Sequence, residues 1–203
     1  EYFYSFVKAT LKSKVIIVNH DDPNCKKILH KNKISFGFNP GADIILKLKD
    51  KILEIFIDGE NYELPFNFYG KHMAYNLAAA FIVAYLVDNN PDIIISKVNK
   101  LLMPSRRFYE KNVKNDIILI NDYAHHPAEV EAVISSIRLK YPDYQTYVVY
   151  QGHTYTRTLT FLNQYISVLK KADKVYIMKD VHVIQVLVLN NMLRCREDFI
   201  IEI

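Results

Sequence analysis

Ile117-Ile118-Leu119-Ile120-Asn121-Asp122-Tyr123-Ala124-His125-His126-Pro127 decides the fold. The run from Ile117 to Ile120 is short, apolar and rich in β-branched residues, which predicts a strand covered on both faces. Pro127 fits the first position of a helix, where its missing N–H would have had no partner. Glu129 and Glu131 follow in the first turn, where the helix dipole favours negative charge. Val130, Val133, Ile134 and Ile137 then repeat at the spacing of one buried helical face. Asp122 to His126 therefore form a loop at the carboxyl end of a strand, the edge at which open α/β sheets bind ligands.

A second segment has the same grammar. Thr146 to Tyr150 predicts a strand, and Gln151-Gly152-His153-Thr154-Tyr155-Thr156-Arg157-Thr158 leads into one helix with an apolar face of Leu162, Tyr165, Ile166 and Leu169. If the two strands are parallel neighbours, both loops share one edge of the sheet. Asp122, His125, His126, His153 and Arg157 would then surround one crevice.

Upstream, Lys14 to Asn19 and Ile34 to Phe38 predict strands around a short helix from Asp22 to His30. Two further strand-like stretches, Ala42 to Leu48 and Leu53 to Ile57, precede Asp58-Gly59, a strong hairpin signal leading into Tyr62 to Phe66. Helices are expected over Tyr75 to Asp88 and Pro91 to Leu102, with Pro104-Ser105 as the domain boundary.

Composition narrows the partners. A net charge of +4 on 203 residues is mild, and the lysines form neither a basic helix nor an aromatic-interleaved platform, so no nucleic-acid partner is expected. No stretch approaches the ~20 apolar residues of a membrane span, and no signal sequence is seen. Cys25 and Cys195 lack metal-type spacing and fit reduced thiols in a cytoplasmic setting.

Three motifs in order resemble the cytoplasmic Mur ligases, and within them the alanine-adding branch. Gly70-Lys71-His72-Met73-Ala74-Tyr75-Asn76-Leu77-Ala78-Ala79 is similar to the family's adenine segment opening a helix. Arg106-Arg107-Phe108 resembles the motif at the junction of the central and C-terminal domains. The loops Asp122 to Pro127 and Gln151 to Thr158 complete the match, which runs from near the first residue to Asp180. The fold class implied is α/β. Residues 1–104 would be the end of a central ATPase domain, and residues 105–203 a partial Rossmann-like C-terminal domain that binds the amino acid and closes.

The resemblance also assigns roles. Asn76 would hydrogen-bond adenine, presenting donor and acceptor together; the alternative is an ordinary helix-entry residue. His72 would stand beside the nucleotide or serve as a local cap, and Met73 departs from the Asn that many Mur ligases carry. Arg107, with Arg106 either assisting or exposed at the surface, would reach the ribose or phosphates. Asp122 would accept from the ribose hydroxyls, unless it is a turn carboxylate. Tyr123, His125, His126, His153 and Arg157 would form the amino-acid side. Arg157 would pair with the alanine carboxylate, and Tyr123 and His125 would help position the amine. One neutral imidazole would accept its proton, with His125 the catalytic candidate and the choice among the histidines left open; His126 has a second reading as a helix cap.

The implied reaction is ATP- and Mg2+-dependent amide formation, joining L-alanine to UDP-N-acetylmuramate through an acyl phosphate in peptidoglycan synthesis. The five glycines include no P-loop, since the single Gly-Lys is followed by His72. The expectation is therefore a fragment truncated at both ends, inactive alone, with an upstream ligase half as a partner. Phosphate- and metal-holding residues would lie outside the chain, and no metal site is assigned within it. The tail from Val181 to Ile203 matches nothing in the family, which predicts missing final strands and an unpaired sheet edge. Two alternatives stand beside this reading: a noncatalytic folded remnant, and a hydrolase with zinc on Asp122, His125, His126 and His153.

Overall fold

The computed structural model describes residues 5, 8, 12–102, 107–114, 117–152, 154–178, 185–189 and 201–202. Arg106, His153, the Pro104-Ser105 boundary and most of the tail lie outside the described residues. The chain divides into two compact units, Glu1–Leu101 and Leu102–Ile203.

The first unit carries a five-stranded sheet ordered β1 (Ile16–Asn19), β2 (Lys33–Gly37), β3 (Ile44–Lys49), β4 (Ile52–Ile57) and β5 (Glu60–Pro65). The first three strands run parallel, and β3, β4 and β5 are antiparallel neighbours. Asp58 and Gly59 both have positive φ, as the two-residue hairpin between β4 and β5 requires. Helix α1 (Pro23–Lys26) is a single turn capped by Asp22. The longer helix expected there does not form, because Ile28 is buried while Leu29 is exposed, so no continuous apolar face exists.

Helix α2 (Lys71–Asp88) lays Ala74, Leu77, Ala78, Phe81 and Ile82 into a core with Leu46, Leu53, Ile55 and Leu64. Asn89 ends it in the left-handed conformation, and Asn90 caps helix α3 (Pro91–Val98) from the next position. The expected continuation of α3 to Leu102 fails beyond Val98, where Leu101 and Leu102 have no buried face.

The second unit has a six-stranded sheet. Its strands are β6 (Tyr109–Lys114), β7 (Ile117–Asn121), β8 (Gln145–Tyr150), β9 (Lys174–Ile177), β10 (Gln185–Leu189) and β11 (Ile201–Glu202), in the order β11-β9-β8-β10-β7-β6. Strands β8 and β9 are parallel, and β10 is antiparallel to both β7 and β8. Strands β7 and β8 thus run the same way, connected through helix α4 (Pro127–Lys140), and β8 reaches β9 through α5 (Tyr155–Thr160) and α6 (Leu162–Leu169). This is a mixed α/β, Rossmann-like connectivity.

Four expectations need correction here. First, β7 and β8 are not neighbours: β10 lies between them, yet their carboxyl ends still share one edge because both oppose β10. Second, that strand and β11 come from the tail, so the tail adds final strands rather than leaving them missing. Third, β7 alternates instead of being buried on both faces; Ile118 and Ile120 enter a core with Val133, Ile134, Ile137, Val148, Val168 and Leu169, whereas Ile117 and Leu119 are half-buried. Fourth, the helix after Gln151-Gly152 breaks at Phe161, because Thr158 and Thr160 bond back to the carbonyls of Thr154 and Thr156 and bend the turn. Strand β6, rich in charge, had no sequence signal.

Ile82 is wholly buried and Val83, the next residue on α2, is half exposed. We expect Ile82→Ala to lower unfolding stability by about 2–5 kcal/mol and Val83→Ala by less than about 1 kcal/mol, both read by chemical denaturation. Equal losses would contradict the packing of α2.

Candidate functional site

Asp122 leaves the end of β7 and is 5% exposed. Its Oδ2 accepts from Phe108 N at 2.7 Å and its Oδ1 from Ala124 N at 2.7 Å. The second bond closes an Asx turn that starts the loop. The first reaches across to the segment entering β6, where Phe108 sits at φ +48°. A bulky residue in that region is strained, so the carboxylate both holds the strained backbone and fixes the position of the exposed Arg107 before it. The turn-carboxylate reading is thus realised in the geometry.

The two imidazoles of the loop do different work. His126 is the N-cap of α4, its Nδ1 accepting from Ala128 N at 3.3 Å while its ring meets Phe161 edge-on at 4.9 Å. His125 places Nδ1 2.9 Å from the carbonyl oxygen of Tyr123, and its ring packs against the Tyr123 ring at 5.1 Å. Below them Glu129 accepts from the backbone N–H groups of His125 at 2.9 Å and His126 at 3.1 Å. Partial burial pushes the Glu129 carboxyl up, but those two hydrogen bonds and the charges of His125 and Arg107 outweigh it and leave it below its ordinary range.

Tyr165 joins this loop to the second one. Its hydroxyl donates to the His125 carbonyl at 2.6 Å, and its ring lies 5.2 Å from that of Tyr150 at the end of β8. Burial, with the hydrogen bond to Tyr165, pushes the Tyr150 hydroxyl well above its ordinary range, while the half-buried Arg157 on α5 acts on it in the opposite sense. Gly152 fits the turn closely, since a Cβ there would stand 3.0 Å from Thr158 Oγ1 and the hydroxyl would have to give way. Asp122, Tyr123, His125, His126 and the segment bearing Arg157 therefore belong to one edge of this unit's sheet. Arg106 and His153 cannot be added to it, being outside the described residues.

In the first unit, Gly70 is the N-cap of α2, with φ +86° and no side-chain cap bond. The reading of His72 as that cap is therefore corrected: His72 lies inside the helix, past the position where a cap accepts. Asn76 is exposed on α2, its Nδ2 4.0 Å from Met73 Sδ. Beside the helix entry is a cluster that the sequence reading missed. Asp21 accepts from Phe38 N at 2.7 Å, Asn39 N at 3.1 Å and Tyr75 Oη at 2.6 Å. Lys71 Nζ stands 4.6 Å from the Phe38 ring centre. Burial pushes the Asp21 carboxyl up, yet the three hydrogen bonds and the Lys71 charge hold it below its usual range. Gly37 leaves room for it, because a Cβ there would meet Asp21 Oδ1 at 2.7 Å. The signal was Asp21-Asp22, just beyond the end of β1.

Among the described residues, no group of three or more His, Cys, Asp or Glu side chains is arranged to hold a metal ion. Asp122 takes two backbone donors and the His126 Nδ1 lone pair is engaged as a cap, so these groups are not poised as a ligand set. Nor, among these residues, is any helix long and apolar enough to cross a membrane.

Comparisons with known proteins fit this architecture. The Mur ligase middle domain model matches residues 1–84, and the Mur ligase glutamate ligase domain model matches residues 106–188. Among solved structures, MurF ligase from Thermotoga maritima in complex with ADP is similar at TM-score 0.66 and 20% identity, over 88% of this chain and 44% of that one. UDP-N-acetylmuramate-alanine ligase MurC from Thermotoga maritima is similar at TM-score 0.66 and 19% identity, over 87% and 40%. A pseudomurein peptide ligase type C from Methanothermus fervidus is similar at TM-score 0.70 and 18% identity, over 86% and 45%. The chain thus spans less than half the length of these relatives.

Removing the Asp122 carboxylate leaves the Phe108 and Ala124 N–H groups without this acceptor, so Asp122→Ala should lower stability by about 2–4 kcal/mol in urea denaturation; a neutral effect would remove Asp122 as the tie. Glu129 predicts a pH dependence. A carboxyl whose folded pKa lies below its unfolded value stabilises above the unfolded value, near 4.5, and loses that contribution as pH falls through the folded one. The wild type should exceed Glu129→Gln by a few tenths of a kcal/mol at neutral pH, as befits a partly exposed group. That gap should narrow as pH falls below the unfolded value and close as it passes the lower folded one; a gap that widens on acidification would contradict the assignment.

Proposed function

This chain belongs to the Mur ligase family, and on that premise we propose that it is part of an ATP-dependent ligase that adds L-alanine to UDP-N-acetylmuramate. The observation that carries the reading is the Tyr165 bridge, which ties the Asp-Tyr-Ala-His-His-Pro loop to α6, the helix that directly follows the Arg157-bearing α5. In this reading Arg157 takes the alanine carboxylate in bidentate fashion, and Tyr123 with His125 faces the amine. His126 supports the loop as a cap and lines the site through its ring.

Asn76 fits an adenine edge, because its amide stands exposed on α2 and offers donor and acceptor together. His72 stands one turn before it. Arg107, with Arg106, would reach the nucleotide's ribose or phosphates, and Asp122 would accept from ribose hydroxyls beyond the two N–H groups it already holds. When bound, ATP with Mg2+ supplies activation of the sugar's carboxylate. The chain's own part is to orient the amine, hold its carboxylate and exclude water. No phosphate cradle is assigned to these residues, so residues 1–104 and 105–203 act as the adenine-binding and amino-acid-binding parts of a longer ligase, in the cytoplasm.

The test is ADP release with ATP, Mg2+, UDP-N-acetylmuramate and L-alanine, using this chain alone and mixed with the upstream half of a related ligase. We expect alanine-dependent release in the mixture and none from the chain alone. Arg157→Ala should raise the KM for alanine about ten-fold or more with little change in kcat. Release that depends on another amino acid would move the chain to another branch of the family. Silence throughout, with the chain folded, would favour the noncatalytic remnant.

A further inference from the structure

We propose that Glu129 is a positioning residue for His125: with the Tyr123 carbonyl it keeps a proton on Nδ1, so that the imidazole lone pair sits on Nε2 to accept a proton from an amine. The amine's identity rests on the ligase reading above; the placement of the proton does not. A carbonyl oxygen can only accept, so the 2.9 Å approach of His125 Nδ1 to Tyr123 O requires Nδ1–H. Glu129 Oε2 lies on the same side, 3.5 Å from Nδ1. That oxygen is not adventitiously placed, since it already accepts from His125 N at 2.9 Å and His126 N at 3.1 Å. The opposite side of the residue is pinned by Tyr165, whose hydroxyl donates to the His125 carbonyl at 2.6 Å.

His126 supplies a contrast from the adjacent position. Its Nδ1 accepts from Ala128 N, so its proton belongs on Nε2. Two neighbouring imidazoles thus carry opposite tautomers, and the difference follows from what each Nδ1 faces. When His125 takes a proton at Nε2, the donor nitrogen keeps the electron pair with which it attacks. The resulting imidazolium keeps its Nδ1–H toward Tyr123 O and the Glu129 carboxylate, which stabilises the positive charge. Other charged or titratable groups acting on this pair are Arg107, through Glu129, and Tyr123, through its ring.

The experiment is a long-range proton–nitrogen correlation spectrum of the uniformly nitrogen-15-labelled chain at about pH 8, where imidazoles are neutral. It needs neither nucleotide nor substrate, so its outcome stands whether or not the ligase reading holds. We expect the Nδ1–H pattern for His125 and the Nε2–H pattern for His126. Glu129→Gln keeps an acceptor oxygen for the two backbone N–H groups but removes the charge. It should raise the Nε2–H fraction of His125 about two- to five-fold, as a partly exposed pair allows, and leave His126 unchanged. Should that variant fail to fold, Glu129→Asp, which draws the carboxylate back by one methylene, should move His125 in the same direction. Glu131→Gln, whose partner is Lys171, should alter neither histidine. An Nε2–H pattern for His125 in the wild type would overturn the proposal, as would an unchanged His125 in folded Glu129 variants.

Discussion

A buried carboxylate with two backbone donors is the constraint on which the second unit's site depends. Asp122 holds Phe108 N and Ala124 N, and so ties the entry of one strand to the loop that leaves another. The left-handed conformation of Phe108 costs about 1–2 kcal/mol, and a hydrogen bond to an ionised acceptor contributes about 1.5–3 kcal/mol. The bond to Phe108 is therefore large enough to offset the local strain it accompanies. It also explains why Arg107 has a defined starting point although its side chain is exposed: the backbone is anchored one residue later.

The first unit uses the same device at the end of β1. Asp21 accepts from two consecutive backbone N–H groups after β2 and from the Tyr75 hydroxyl on α2, with Gly37 leaving space for the carboxylate. In both units an aspartate at the carboxyl end of a strand fastens a neighbouring chain segment through backbone donors. Strand ends are where this is needed, because ladder bonding stops there while burial continues, and the liberated N–H groups must find acceptors. Loops held in this way can present side chains at fixed positions without a sheet beneath them.

Much of this was legible in the sequence, for identifiable reasons. The loop from Asp122 to Pro127 could be placed because Pro127, Glu129 and the Val130-Val133-Ile134-Ile137 repeat each mark a helix start independently. The Asp58-Gly59 hairpin was equally plain, since few residues accept positive φ twice in succession. What stayed hidden depended on contacts distant in sequence. Strand β6 is half charged, with no alternation of apolar residues, and is defined by its pairing with β7. The place of β10 between β7 and β8 is a matter of topology that no local pattern records. The break at Phe161 arises from threonine hydroxyls competing for backbone carbonyls, an effect that apolar periodicity ignores. Asp21 was overlooked because its partners lie 17, 18 and 54 residues away.

The two roles of Asp122, tie and proposed ribose acceptor, are chemically compatible. An ionised carboxylate has about four lone-pair directions, so accepting two N–H bonds leaves its chemistry that of an acceptor while restricting how it can turn. Catalytic and binding groups are effective when their orientation is settled before the ligand arrives. His125 follows the same logic: Tyr123 O and Glu129 lie on one side of its ring and Tyr165 holds its backbone, so the ring is oriented by neighbours that need not touch substrate. Asp122 and Tyr150 are buried while Arg107 and Tyr123 are exposed, so the groups that hold this edge lie inside and the polar side chains they position reach solvent.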